Sequence, residues 1–278
     1  MQRVLDLDLD FFVQRVVFWP PDDQRADPEE HKVALGVDTL LEILTDAEIE
    51  LVGGDLDAFD GVGLSMRYLR ERLGLRDSLP GAAVETHDEV FAIWERMIRD
   101  GELRCPFHVT HVDAHGDFGK GQLSHRKVLT EVLALPADAR RDRSRNLLNE
   151  GDYLLHAVAC RWVADIDYVF CPGGGSDIDR WYWEDFRTPP LNEHGRSGVV
   201  RLAGLDEPTL DAIVGGATPR VDYDEPPVCM REIQQHAYAT TRAFDFAFLA
   251  RSPRYTPFAA DPLYDAIRTE FIAGLRAN

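Results

Sequence analysis

The stretch PFHVTHVDAHGDFG, Pro106 to Gly119, decides the fold. Its first half is a short apolar run rich in β-formers. Its second half places Asp113, His115 and Asp117 at every second position, among glycines. A buried strand that ends in polar, metal-competent side chains is what a parallel α/β sheet requires, because such sheets bind ligands beyond the carboxyl ends of their strands. On an extended backbone the three side chains share one face, and two carboxylates with an imidazole suit Mn²⁺, Fe²⁺ or Zn²⁺. A solvated strand edge with a chance histidine is the competing reading of DxHxD alone. The apolar FHV ahead of it argues for burial, and buried carboxylates need partners or a metal.

Working outward, VLDLDLDFF (Val4 to Phe12) reads as the first strand, with Leu5, Leu7, Leu9 and Phe11 on one face and Asp6, Asp8 and Asp10 on the other. FWPPDDQRADPEEHK reads as an exposed loop, and helical periodicity follows over Val37 to Leu44 and Val62 to Leu73. PGAAVETHDEVFAIWERMI predicts a short strand entering a helix, with Thr86 as cap and Val90, Ile93, Trp94 and Met97 as the apolar stripe. GDYLLHAVACRWVA predicts a buried helix, and DIDYVFCPGGG a strand ending in a glycine-rich loop. The chain then predicts a helix over MREIQQHAYATTRA, a strand over FDFAFLARSP and a closing helix over DPLYDAIRTEFIAGLRA. Strands alternating with helices predict an α/β fold, a three-layer sandwich around a mostly parallel central sheet. No shift in composition marks a boundary, so residues 1–278 are expected to form one domain.

The 278 residues are 45% hydrophobic and 28% charged, ordinary for a globular protein. Net charge is −19, from 49 acidic and 30 basic side chains, which argues against nucleic acid as a partner. The excess of acid favours cationic ligands, although solubility alone explains it equally well. Cys105, Cys160, Cys171 and Cys229 form no CxxC pair and read as isolated thiols. No apolar stretch approaches the ~20 residues needed to span a bilayer. MQRVLDLDLDFF carries aspartates where a signal peptide would be apolar, so a cytoplasmic location is expected.

Two further segments carry polar chemistry. Three aspartates on one face of LDLDLDFF repel one another unless a cation or a proton intervenes; an edge strand facing water is the alternative. His87, in VETHDEVF, sits at a strand-to-helix junction, where a capping or core role is the alternative to ligation. Together the segments offer His87, Asp113, His115, Asp117, Asp8 and Asp10. That donor set exceeds the needs of one zinc ion and fits two cations about 3.5–4 Å apart, sharing carboxylates and a water.

This constellation resembles the arginase/ureohydrolase (arginase–deacetylase) fold, with its DAHxD and SxDxD strand ends and a histidine at a helix start. It is more similar still to the UPF0489 family, on His87 with Glu89, VDAHGD, DLDFF and the later SPRYTP from Ser252 to Pro257. Bacterial members of that family include peptide arginases. The resemblance implies two Mn²⁺ ions per chain, held by Asp8, Asp10, His87, Asp113, His115 and Asp117, with Asp113 and Asp8 bridging. It implies hydrolysis of arginine side chains in a ribosomal precursor peptide to ornithine and urea. Asp6 replaces the serine of SxDxD and is expected behind the ligands, with a ligand pair Asp6 and Asp8 as the alternative. His156 resembles the proton-shuttling histidine, against a purely structural role. The DxD strand precedes DAHxD, so the strand order is expected to be rearranged. No glutamate ends the late strand, so Asp152, Glu85 and Glu89 are the candidates for holding the guanidinium. His108 and His111 are expected to be structural. CPGGGSD lacks the GK[ST] of a phosphate loop and is expected at the site rim. A small-molecule ureohydrolase, a zinc deacetylase of the same fold, and a non-catalytic metal- and peptide-binding protein are the alternatives.

Overall fold

The computed structural model describes residues 1–18, 32–119 and 123–275. The strands are β1 (Arg3–Asp8), β2 (Gly81–Val84), β3 (Phe107–Val112), β4 (Val163–Phe170), β5 (Gly195–Val200), β6 (Val228–Gln234) and β7 (Phe246–Ala250). They form one seven-stranded sheet in the order β2-β7-β1-β3-β4-β6-β5. Every neighbouring pair runs parallel except β5 with β6, at one edge. The helices are α1 (Val37–Ile43), α2 (Asp46–Leu51), α3 (Gly61–Glu71), α4 (Asp88–Arg99), α5 (Leu123–Lys127), α6 (Arg140–Ser144), α7 (Tyr153–Ala159), α8 (Glu207–Val214) and α9 (Asp261–Phe271).

Two apolar cores make three layers. On one face Val4, Val109, Ile166 and Phe248 of the sheet pack with Phe91 and Trp94 of α4 and Leu154 and Leu155 of α7. On the other, Leu5, Leu7, Val112 and Leu249 meet Leu40 of α1, Leu69 of α3 and Leu263, Ile267 and Phe271 of α9. The period-2 alternation of β1 feeds both cores at once, as a strand covered on both faces must. The α/β three-layer fold is as expected. Among the described residues no helix is long and apolar enough to cross a membrane.

The structure departs from the sequence reading in four places. β1 ends at Asp8, not Phe12, because the Asp8 side chain accepts the N–H of Asp10 at 3.0 Å and the chain turns through a 3-10 turn, Leu9–Phe12. MREIQQHAYATTRA is not a helix. Its first part belongs to β6, where Val228, Met230 and Glu232 are buried and Cys229 and Arg231 exposed, a strand period set by pairing with β4 on one side and β5 on the other. β5 itself lies in a stretch where only polar connection was expected. Thr86 does not cap α4. The carboxylate of Glu89 reaches back to the N–H groups of Glu85 and Thr86, each at 3.1 Å, which leaves the cap residue His87 free to turn inward. The expected exposed loop lies, from 19 to 31, outside the described residues.

This topology gathers the polar segments. The carboxyl ends of β1 and β3 are adjacent at the centre of the sheet, flanked by those of β7 and β4, and β2 leads into His87.

Candidate metal centre

Beyond these strand ends lies a cavity of about 470 Å³. Asp8, Asp10, His87, Asp113, His115 and Asp117, the whole set expected as ligands, line it. All are buried except His115, whose side chain is 20% exposed.

Their oxygens converge on two imidazole nitrogens. Nδ1 of His87 lies 3.1 Å from Asp8 Oδ2, 3.1 Å from Asp113 Oδ2 and 3.2 Å from Asp117 Oδ2. Nδ1 of His115 lies 2.9 Å from Asp10 Oδ2 and 3.5 Å from Asp113 Oδ1. Asp113 thus serves both clusters, one oxygen to each. Asp8 turns Oδ2 to the first cluster while its Oδ1 accepts the Asp10 N–H. The ligand atoms of His87, His111, Asp113 and Asp117 fall within 4.8 Å of one another, as do those of Asp10, Asp113 and His115, and each group can hold a metal ion.

What stands behind the rings fixes which nitrogen faces inward. Asp6 is fully buried; its Oδ1 lies 3.2 Å from His87 Nε2 and its Oδ2 3.2 Å from His111 Nδ1. The Tyr153 hydroxyl also donates to Asp6 Oδ2 and stacks its ring on His87 at 4.6 Å. Burial alone would raise the Asp6 carboxyl, but the imidazoles of His87 and His111 hold it well below the carboxylate range. An ionised Asp6 only accepts, so His87 donates through Nε2 and Nδ1 is left for the cluster. His115 repeats the device by donating from Nε2 to the Val17 carbonyl at 3.1 Å. Asp6 therefore stands behind the His87 and His111 rings and does not line the cavity.

The electrostatics show what the cluster lacks. Burial, then the neighbouring Asp113, pushes Asp117 up to about 7; burial, Asp8 and Asp113 push Asp10 well above its ordinary value. Against the opposing effect of burial, Asp10 and Asp113 lift His115 to about 12. Each retained proton marks a place where negative charge exceeds what the protein offsets. His87 Nδ1 and Asp117 Oδ2 are buried and make no hydrogen bond. Inward-facing ring nitrogens, crowded carboxylates and retained protons fit bound metal cations, which would take the place of those protons.

The polypeptide is shaped to this arrangement. Asp117 adopts φ 53° and Ser252 φ 48°, left-handed conformations that non-glycine residues rarely adopt. The Ser252 hydroxyl donates to Asp8 Oδ2. Gly116 is required where it stands, since a Cβ there would lie 2.3 Å from Asp177 Oδ1. The Tyr168 hydroxyl donates to the carbonyls of Ala114 and Gly175, tying the DAHGD turn to the glycine loop, whose Gly175, Ser176 and Asp177 line the cavity as expected of a rim.

Other expectations need correction. His156 is fully buried, lines no part of the cavity and makes no hydrogen bond through either ring nitrogen; burial lowers it to about 4. Asp152 is buried behind Gly119 and accepts from the backbone and side chain of Asn149 at 2.8 and 2.9 Å. Glu85 is exposed and pairs with Arg251 at 3.3 Å, and Glu89 is occupied at the start of α4. None of the three guanidinium candidates lines the cavity. The carboxylates that do so beyond the ligand set are Glu150 and Asp177. His111, expected to be structural, spends Nδ1 on Asp6 Oδ2 and Nε2 on the His115 carbonyl, each at 3.2 Å, and does not line the cavity, although its Nε2 also lies 3.4 Å from Asp113 Oδ2, within the first candidate group. His108 pairs with Asp167 at 3.2 Å and forms, with Asp165, a third group near the amino ends of β3 and β4, where Arg231 lies 2.5 Å from Asp167.

Compared with protein-family models and with curated proteins, the chain gives no match.

Proposed function

We propose that the chain is a metal-dependent hydrolase with two Mn²⁺ ions that converts arginine side chains of a peptide, a ribosomal precursor, to ornithine with release of urea. One observation carries the reading: two histidines whose Nε2 groups are spent on Asp6 and Val17 turn Nδ1 onto carboxylates, with Asp113 shared between them. The ions would be held by Asp8, Asp10, His87, Asp113, His115 and Asp117, with His111 beside the first. A carboxylate-rich set with imidazoles suits manganese. When bound, such a pair supplies Lewis acidity and ionises water near neutral pH.

The chain's own residues hold and orient. Asp6, with Tyr153 behind it, fixes the His87 ring; Ser252 and the Asp10 N–H fix Asp8; the Ala114 N–H, at 3.2 Å, fixes Asp10. In the reaction the C–N bond to the side-chain nitrogen breaks, the oxygen of water passes to urea, and both protons of water end on the departing amine. His156 lies outside the cavity and takes no part in that transfer. Arginine within a peptide is favoured over the free amino acid because, among the described residues, no Lys or Arg lines the cavity to receive an α-carboxylate.

The test is mass spectrometry of arginine peptides after incubation with Mn²⁺, with urea measured in parallel. Each converted arginine loses the mass of urea less that of water. Asp113→Ala should abolish both metal binding and urea release, since it removes the carboxylate common to both clusters. An active Asp113→Ala protein, or activity without metal, overturns the mechanism. Release of acetate from acetyl-lysine peptides would select the deacetylase, and tight metal binding without turnover the non-catalytic binder.

A further inference from the structure

An ion pair joins Glu150, in the wall of the metal cavity, to the more exposed Arg254. Glu150 lines the metal cavity, with its side chain 15% exposed, and Arg254, 44% exposed, does not line it. A solvent-facing guanidinium thus reaches a carboxylate that faces inward. Among the described residues the one hydrogen bond to Glu150 comes from Arg254 Nη1, at 2.9 Å. We infer that Glu150 is the subsite for the cationic group of the substrate, and that Arg254 occupies it until substrate displaces it. The inference rests on the reading above for the cavity's role as reaction chamber.

Charge and geometry select Glu150. Carboxylates of Asp8, Asp10, Asp113, Asp117, Glu150 and Asp177 line the cavity, and no Lys or Arg does so among the described residues. Two divalent ions offset four of the six, which leaves Glu150 and Asp177. Asp177 is tied to the loop backbone through Oδ2, which accepts the Phe118 N–H at 2.8 Å. Glu150 is bound by a removable side chain. Only the Arg254 side of the pair is open to solvent, so Arg254 can swing outward while Glu150 stays in the cavity wall. A planar guanidinium also offers a carboxylate paired donors, so an arginine side chain can take the same place. The unpartnered Nδ1 of His87, 1% exposed, lines the same cavity, so a cation held at Glu150 lies in the chamber that contains the metal ligands. A neutral isostere gains nothing from Glu150, and an acidic one is repelled.

The test is calorimetric titration of the Mn²⁺-loaded protein with Nα-acetyl-arginine methylamide and with its neutral citrulline counterpart. Wild type should prefer the arginine probe. Glu150→Gln should lose that preference, its dissociation constant for the arginine probe rising on the order of 10- to 100-fold, as loss of a charged hydrogen-bond partner implies. Arg254→Ala, which removes the resident competitor, should bind the arginine probe more tightly than wild type. Metal content, measured on all three proteins, should be the same. Wild-type indifference between the probes, an unchanged preference in Glu150→Gln, or weaker binding by Arg254→Ala overturns the inference. Failure of the hydrolase reading registers differently, as discrimination between the probes without urea from any arginine peptide.

Discussion

His156 shows how a residue that looks catalytic in sequence can instead report on burial. It is fully buried, neither ring nitrogen is hydrogen-bonded, and Nε2 is 3.8 Å from Asp152 Oδ1, beyond hydrogen-bond reach. Burial lowers its pKa from 6.5 to about 4. The unfolded chain therefore takes up this proton first as pH falls, and stability is lost between about 6.5 and about 4. His156→Leu should remove that loss. Relative to wild type, the variant should gain stability across this window, by up to about 3 kcal/mol. Asp152, raised by burial to about 6, acts with the opposite sign, but it is common to both proteins. Urea unfolding at a series of pH values checks this, and parallel stability curves would show that His156 is partnered or charged in the native state. At this scale the six residues that line the cavity were legible because strand ends and a strand-to-helix junction are local features, although β3 ends at Val112 and Asp113, His115 and Asp117 come together through a turn and not on one strand face. Glu150 was not legible, because a single glutamate in a connection carries no periodic signal and its role depends on Arg254, distant in sequence.

Among the elements, α4 explains why two expected substrate residues fall away. Glu89 accepts the N–H groups of Glu85 and Thr86, and the Glu85 side chain faces solvent beside Arg251. Glu89→Ala should cost about 1 kcal/mol, the usual effect of losing a helix-start acceptor. It should leave the KM for arginine peptides unchanged, and a rise in KM with stability intact would return Glu89 to the binding surface. The same element shows how far local pattern reaches. The stripe of Val90, Trp94 and Met97 was legible because amphipathic periodicity is strong there. β6 was misread because MREIQQ is as compatible with a helix as with a strand, and the decision lies with its neighbours β4 and β5. The turn at Leu9–Phe12 was missed because an apolar run hides an aspartate side chain that captures a backbone N–H two residues on. Missing it did not displace the site, since the turn carries Asp10 round to His115.

For the whole molecule, a metal bound at the centre would be linked to stability. The chain carries a net charge of −19, and part of its acid is buried at the junction of the β1 and β3 ends, where it cannot be screened from solution. A cation that binds the folded chain and not the unfolded one stabilises by mass action, about 2.7 kcal/mol per site at a hundredfold excess over Kd. Mn²⁺ should therefore raise the Tm in a concentration-dependent way and chelation should reverse it, whereas monovalent salt should not substitute. The shift should also depend on pH. Asp117 is raised to about 7 and Asp10 is raised as well, so at lower pH protons already occupy the carboxylates and compete with metal. As pH rises through about 7 the metal-free protein loses that internal compensation, and the stabilisation by Mn²⁺ should grow. Asp113→Ala should flatten the response at every pH, because among the described residues no other side chain serves both clusters. Thermal melts with and without Mn²⁺ between pH 6 and 8 decide it. A Tm indifferent to Mn²⁺ across that range would mean that protons alone balance the buried carboxylates, and the centre would then be a hydrogen-bonded network rather than a metal site.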